Sequence, residues 1–237
     1  MLYKLFDLYY WIEFKHKGYE KLLAPYKTEE CVSPCEKIKI TQEEIDHEMV
    51  HDTAHNEAYH EFICVFRHIT ASILKYNGMF VHSAVISMDN DGYMFSGRSG
   101  VGKSTHINEW VKCFGSDRVT IINGDKPIIR FFDDGIYAYG NPWHGVEGWS
   151  HNSKVKLKSV CFLKQSKENR IRKLKSPEIL KELINQTVVP NNINDKLKYF
   201  ELLDKFVKTL DFYELECDIS KEAVITAYAK MRGEKFE

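Results

Sequence analysis

The stretch FSGRSGVGKST, residues 95–105, constrains this chain more than any other. Gly97, Gly102, Lys103 and Ser104 stand at the G-x-x-x-x-G-K-[ST] spacing. The apolar run YMFSG leads into the loop, and a helical pattern through about Cys113 comes after it. A chance glycine-rich turn has no reason to sit between a strand and a helix. The residue types have a physical logic. Glycines let backbone N–H groups turn inward and approach phosphate oxygens, and the next helix adds the positive end of its dipole. Lys103 can reach the terminal phosphates, and the Ser104 hydroxyl can ligate Mg²⁺. Gly97, Arg98, Ser99, Gly100, Val101, Gly102, Lys103, Ser104 and Thr105 are the expected nucleotide-binding set.

Such a loop indicates a nucleoside triphosphate without naming the reaction. The next strand, VTIINGD, ends at Asp125, one helix and one strand beyond Lys103. That spacing predicts a carboxylate beside the loop, where it can hold Mg²⁺ through water or take a proton from an attacking hydroxyl. The plainer reading is a turn aspartate before Pro127. No N-K-x-D element reads guanine, no LSGGQ-type signature marks a transporter ATPase, and no second α/β half marks a helicase motor.

The 237 residues are 43% hydrophobic and 13% aromatic, enough to bury a sizeable core. A formal net charge of -1 speaks against a broad basic surface for nucleic acid. No apolar run approaches the roughly 18 residues of a membrane span, and the N-terminus reads as a strand, not a leader. Six scattered cysteines fit reduced thiols, so the expected location is the cytoplasm.

Residues 2–14 are expected to form a strand, 15–50 short strands and turns around Pro25 and Pro34, and 52–76 a helix ended by Asn77-Gly78. MFVHSAVISM reads as one strand, NDG as a hairpin turn, VKLKSVCFLKQ as a long strand, and the last third as helices over 176–188, 195–210 and 220–232. This divides the chain into 1–77, a β-rich segment plus helix, and 78–237, a β-rich nucleotide core with hairpins and C-terminal helices.

VHSAVI, GRSGVGKST, INGDKPIIR and YGNPWHG, in that order, resemble the HPr serine kinase family, and more closely its compact bacterial homologues. The resemblance covers about residues 79–165. It implies an α/β (α+β) P-loop kinase core of the HPr kinase and phosphoenolpyruvate carboxykinase type, with a mixed sheet and flanking helices. Family members transfer phosphate to a serine of a small protein, and some relatives modify peptides or small molecules. His82 matches a histidine beside the family's active site, and Lys103 and Ser104 match its phosphate and Mg²⁺ residues. Where the family shows two adjacent acids, this chain has Gly124-Asp125.

On the family resemblance, the loop GNPWHGVEGW, residues 140–149, is substrate-facing with two exposed tryptophans, and Trp143, His144 and Glu147 are the expected substrate contacts. The alternative is a loop that packs its tryptophans inward. His47, His51 and His55 fall at i, i+4, i+8 and would share one helix face, a solvated face before a metal site. Cys31 and Cys35 lack a second pair for zinc. The basic run 167–175 reads as a solvated strand end.

Together these readings describe an ATP- and Mg²⁺-dependent kinase. Its acceptor would be a hydroxyl, serine foremost, of a peptide, small protein or small molecule. Asp125, Lys103 and His82 are the expected catalytic residues, and Ser104 and Asp125 the expected Mg²⁺ partners. Nucleic acid and membrane are not expected partners, and a homo-oligomer stays open. The rival is a nucleotide-binding regulatory or scaffold protein that transfers nothing.

Overall fold

The N-terminal apolar stretch does not run on as one strand. Phe6 and Asp7 take positive φ, 59° and 58°, and turn it into a hairpin of β1 (Leu2–Leu5) and β2 (Leu8–Glu13). The computed structural model describes residues 1–233, with the side chain of His51 outside the described part. It divides into two units, Met1–Ile73 and Leu74–Glu237.

In the first unit a 3-10 helix, Glu20–Tyr26, carries Pro25, and β3 (Glu36–Lys39) then pairs parallel to β2. Where only strands and turns are expected, α1 (Gln42–His51) forms. Its start is legible: Thr41 and Glu44 make a reciprocal capping box. Its one fully buried apolar residue, Ile45, leaves no periodic stripe to read. Asp52 is extended and ends α1, so His55 leaves the helix that carries His47. The expected three-histidine face does not exist. His55 instead stacks on Tyr59 at 4.1 Å and lies 2.8 Å from the Asp52 carboxylate. The next helix, α2 (Glu57–Ser72), is capped by Asn56.

In the second unit the expected MFVHSAVISM strand is broken. β4 (Gly78–Phe80) stops before His82, and β5 (Ser83–Met88) starts after it. Asp89 and Asn90, with φ of 51° and 70°, form the tight turn into β6 (Asp91–Ser96). Next come α3 (Lys103–Phe114), β7 (Val119–Asn123), β8 (Ile128–Phe131), β9 (Ile136–Tyr139) and the long β10 (Lys154–Gln165). The last third holds β11 (Arg170–Lys173), α4 (Ser176–Gln186), α5 (Ile193–Thr209), β12 (Asp211–Cys217) and α6 (Lys221–Met231). It is therefore not all helical: β11 and β12 pair with each other, and β12 joins the sheet.

The result is a mixed nine-stranded sheet with flanking helices. β10 is its hub. Its first residues pair with β9, and the rest runs parallel to β6 and β12. Side chains alternate along the strands. Met94, Val160 and Phe162 join Leu183 of α4 and Phe206 of α5 in one core layer. Phe95, Cys161 and Leu163 join Trp110 of α3 and Val224 of α6 in the other.

Strand direction decides which chain segments meet. β5 lies between β6 and β7 and runs antiparallel to both. The C-terminal ends of β6 and β7 therefore share one edge with the N-terminal end of β5. The loop after Ser96, the turn after Asn123 and His82 meet at that edge. The parallel strands β10 and β12 end on the same side.

Candidate functional site

The glycine loop leaves β6 and enters α3 through backbone that L side chains resist. Gly100 and Gly102 have φ of 75° and 103°, and a Cβ at either would meet open space. Conformation, not crowding, thus demands glycine there. Lys103 opens α3 with its side chain buried, and its Nζ donates to the Gly97 carbonyl at 3.2 Å. Burial lowers the pKa of this ammonium, with the field of Asp125 opposing and that of Lys126 adding. Arg98, Ser99 and Gly100 are exposed, while Val101, Gly102, Ser104 and Thr105 are half-buried. The loop closes on itself through Val101 N, which donates to the Arg98 carbonyl.

Asp125 sits beyond β7, as the spacing predicts, but β5 separates it from β6. What β5 inserts is His82. Its Nε2 lies 3.2 Å from Asp125 Oδ1, and its Nδ1 lies 3.1 Å from Gln186 Oε1 at the end of α4. Backbone bonds lock the same geometry: His82 N donates to Gln186 O at 2.7 Å, and Ser83 N to Asp125 O at 3.2 Å. Lys126 Nζ donates to the other carboxylate oxygen, Oδ2. Burial works to raise the pKa of Asp125. The hydrogen bonds from His82 and Lys126 outweigh it and hold the carboxyl well below the usual range.

Two buried amides brace this turn. Asn123 Oδ1 accepts from the backbone N–H groups of Asp125, at 2.9 Å, and Lys126, at 2.7 Å. Asn141 Nδ2 donates to the Lys126 carbonyl at 2.6 Å, and its Oδ1 accepts from Trp143 N at 2.9 Å. The 140–149 loop is thus tied to the Asp125 turn. Its glycine at 145 passes so close that a Cβ would lie 3.3 Å from the Asp125 Cβ.

The expectation of two exposed tryptophans is wrong for Trp143, which is 2% exposed and part of the packed interior. Trp149 is half-buried, and its carbonyl accepts from Gly124 N. Besides Trp149, the loop's accessible side chains are His144, half-buried with Nδ1 3.0 Å from the Gly145 carbonyl, and the exposed Val146 and Glu147.

Sequence reasoning missed Gln186, Lys126 and the two asparagines as site residues. Asn123, Lys126 and Asn141 lie inside motifs that the sequence singles out, so polar residues flanking Asp125 were a usable signal. Gln186 carries none.

A cleft of ≈ 970 Å³ opens beside the loop, with His82, Arg98 and Ser99 on one side and Lys181, Asn185 and Gln186 of α4 on the other. A smaller pocket of ≈ 320 Å³ lies past Val101 and Thr105, walled by Leu163, Cys217 and Ile219, with Gln165 and Ser220 at its rim. Among the described residues no three His, Cys, Asp or Glu side chains cluster as a metal site, and no helix is long and apolar enough to cross a membrane.

No protein-family model and no curated protein matches the chain. Among solved structures it is similar to the HPr(Ser) kinase/phosphatase from Coxiella burnetii, at 9% identity and a TM-score of 0.37, over 65% of this chain and 93% of that one. A likeness of that degree carries no functional argument, and the case for a function rests on the side chains of the site.

Proposed function

We propose that the protein is a kinase of the HPr serine kinase-like type, moving the γ-phosphate of ATP to a hydroxyl of a peptide, small protein or small molecule. The observation that carries this reading is the meeting of His82, Asp125 and Lys126 with Lys103 and the glycine loop at one sheet edge. A glycine-rich loop opening a helix suits the β- and γ-phosphates, and the mostly apolar pocket past Thr105 suits a flat nucleoside base. The ≈ 970 Å³ cleft on the His82 side leaves room for an acceptor.

The side chains fit Mg²⁺ as well. Ser104 and Asp125 offer hard oxygen donors, and this ion takes most of its remaining ligands from phosphates and water. Bound there, it would neutralise charge on the transferring phosphoryl group. Neither residue needs a third protein ligand for that.

Asp125 acts here chiefly by orientation. A carboxylate whose pKa is depressed is a weak base, yet it remains charged and fixed by His82. It can accept a hydrogen bond from the acceptor hydroxyl and align it with the γ-phosphate. In a loose phosphoryl-transfer transition state the hydroxyl proton need leave only late. Positioning and charge stabilisation do most of the work.

The test is transfer from γ-labelled ATP to serine-containing peptides and small hydroxyl acceptors, with calorimetry of ATP binding alongside. Labelled acceptor supports the kinase. ATP binding with neither transfer nor hydrolysis supports the scaffold reading, which the lone acid after Gly124 favours.

A further inference from the structure

The backbone of Lys126 is held on both sides, while its side chain ends in an ion pair with Asp125. Asn123 takes its N–H and Asn141 its carbonyl, both asparagines being 0% exposed. Pro127 restricts the next φ. The Lys126 side chain itself is 34% exposed and reaches back to Asp125 Oδ2. A lysine stem of four carbons can swing its ammonium without moving that anchor.

Carboxylates also lie nearby: Glu182 lines the cleft, and a Cβ at Gly145 would stand 2.9 Å from Glu147 Oε2 and 3.3 Å from the Asp125 Cβ. Lys103 points its ammonium at the Gly97 carbonyl, a neutral acceptor. Lys126 and His82 take the two oxygens of Asp125. Asp125 thus faces the Lys126 ammonium and an imidazole, within the field of Lys103, beside the start of a helix whose positive end also favours an anion.

We propose that Lys126 is a second phosphate-binding cation of this site, parked on Asp125 when the site is empty and drawn onto the terminal phosphate of a bound triphosphate. A terminal phosphate carries more charge than a carboxylate and offers several acceptor oxygens, so it outcompetes Asp125 for the ammonium. The exchange also frees Asp125 Oδ2 to accept from the acceptor hydroxyl. While the ammonium sits on Oδ2 that oxygen is taken, and a triphosphate that draws the ammonium away releases it. This inference deepens the kinase reading and rests on it.

Calorimetry with ATP and with ADP, on the wild type, Lys126→Met and Lys103→Ala, decides the matter. Lys126→Met is expected to weaken ATP at least about tenfold, the scale of one charged hydrogen bond, and to leave ADP within about twofold. Lys103→Ala is expected to weaken both. A Lys126→Met protein with the wild-type ratio of ATP to ADP affinity overturns the proposal and leaves the kinase reading standing. Wild type that binds neither nucleotide overturns the reading itself and the proposal with it. If Lys126→Met does not fold, the wild type with ¹³C-methylated lysines serves instead. Its Lys126 resonance must shift with ATP and stay in place with ADP, and a resonance indifferent to ATP overturns the proposal.

Discussion

Gln186 and His82 meet at 3.1 Å across 104 residues of sequence, side chain to side chain, with their backbones joined by a second bond of 2.7 Å. The end of α4 thereby sets the angle of the imidazole that faces Asp125. Gln186→Leu is expected to slow single-turnover transfer on the order of tenfold, the cost of losing an orienting partner. ATP affinity should stay unchanged, and the imidazole nitrogen shifts should change. Normal turnover with altered shifts would show that the ring's angle does not matter.

Asp125→Asn keeps the shape of the side chain and removes its charge. Turnover is expected to fall at least about a hundredfold, the scale of a lost positioning contact at the reacting hydroxyl. No adjacent acid compensates, because residue 124 is glycine. Without Mg²⁺, ATP affinity should hold or rise, since a negative charge near the phosphates has gone. A variant that retains most of its transfer rate would give the chemistry to another group.

The 140–149 loop separates packing from recognition in adjacent residues. Trp143→Ala removes a fully buried indole and is expected to cost about 3–5 kcal/mol of stability. His144→Ala, at the accessible tip, should change stability by less than about 0.5 kcal/mol while raising the acceptor KM. Denaturant titration and steady-state kinetics on the two variants test both halves. A His144→Ala enzyme with normal kinetics would make the loop purely structural.

His106 gives the fold a pH limit. It lies in the first turns of α3, 6% exposed, and Trp110 Nε1 donates to its Nε2 at 3.1 Å. Burial lowers its pKa from 6.5 to about 4, against a smaller opposing pull from Glu109. The unfolded chain therefore binds this proton first. Stability is full above the unfolded pKa and falls as pH drops from about 6.5 towards 4, by on the order of 3 kcal/mol at ~1.4 kcal/mol per unit. Asp125, held low, loses its contribution only below the ordinary aspartate pKa of 3.8, so the two windows are separate. Thermal melts of wild type and His106→Gln should diverge between pH 6.5 and 4. Parallel curves would remove His106 as the cause.

The sequence by itself determined the glycine loop, the helix behind it and the placing of Asp125 after the next strand. Each depends on neighbours in the chain. Positive φ at Gly100 and Gly102 selects glycine locally, the Asp89-Asn90 turn closes β5 on β6, and Ile179 with Leu183, and Leu202 with Phe206, show the four-residue spacing of buried helix faces. Local signals also mislead. Asp211–Cys217 falls between two expected helices, 195–210 and 220–232, in a tail read as helical. It is a strand because β10 offers an open parallel edge and β11 folds back to cover it. Phe6 and Asp7 look like strand interior until their backbones turn.

Only the tertiary structure decided what surrounds Asp125. No periodicity brings Gln186 to His82, because their contact depends on how α4 packs across the sheet. Trp143 looks available in a glycine-rich loop and is buried, because Asn141 and Asn123 pull that loop down onto the Asp125 turn. The motif around Asp125 marks Lys126 as a neighbour in the chain but does not say where its ammonium goes. Its position against Asp125 comes from hydrogen bonds that anchor its backbone from two separate strand ends. Backbone geometry is written in the chain residue by residue, whereas charge neighbourhoods exist only once distant segments have closed around them.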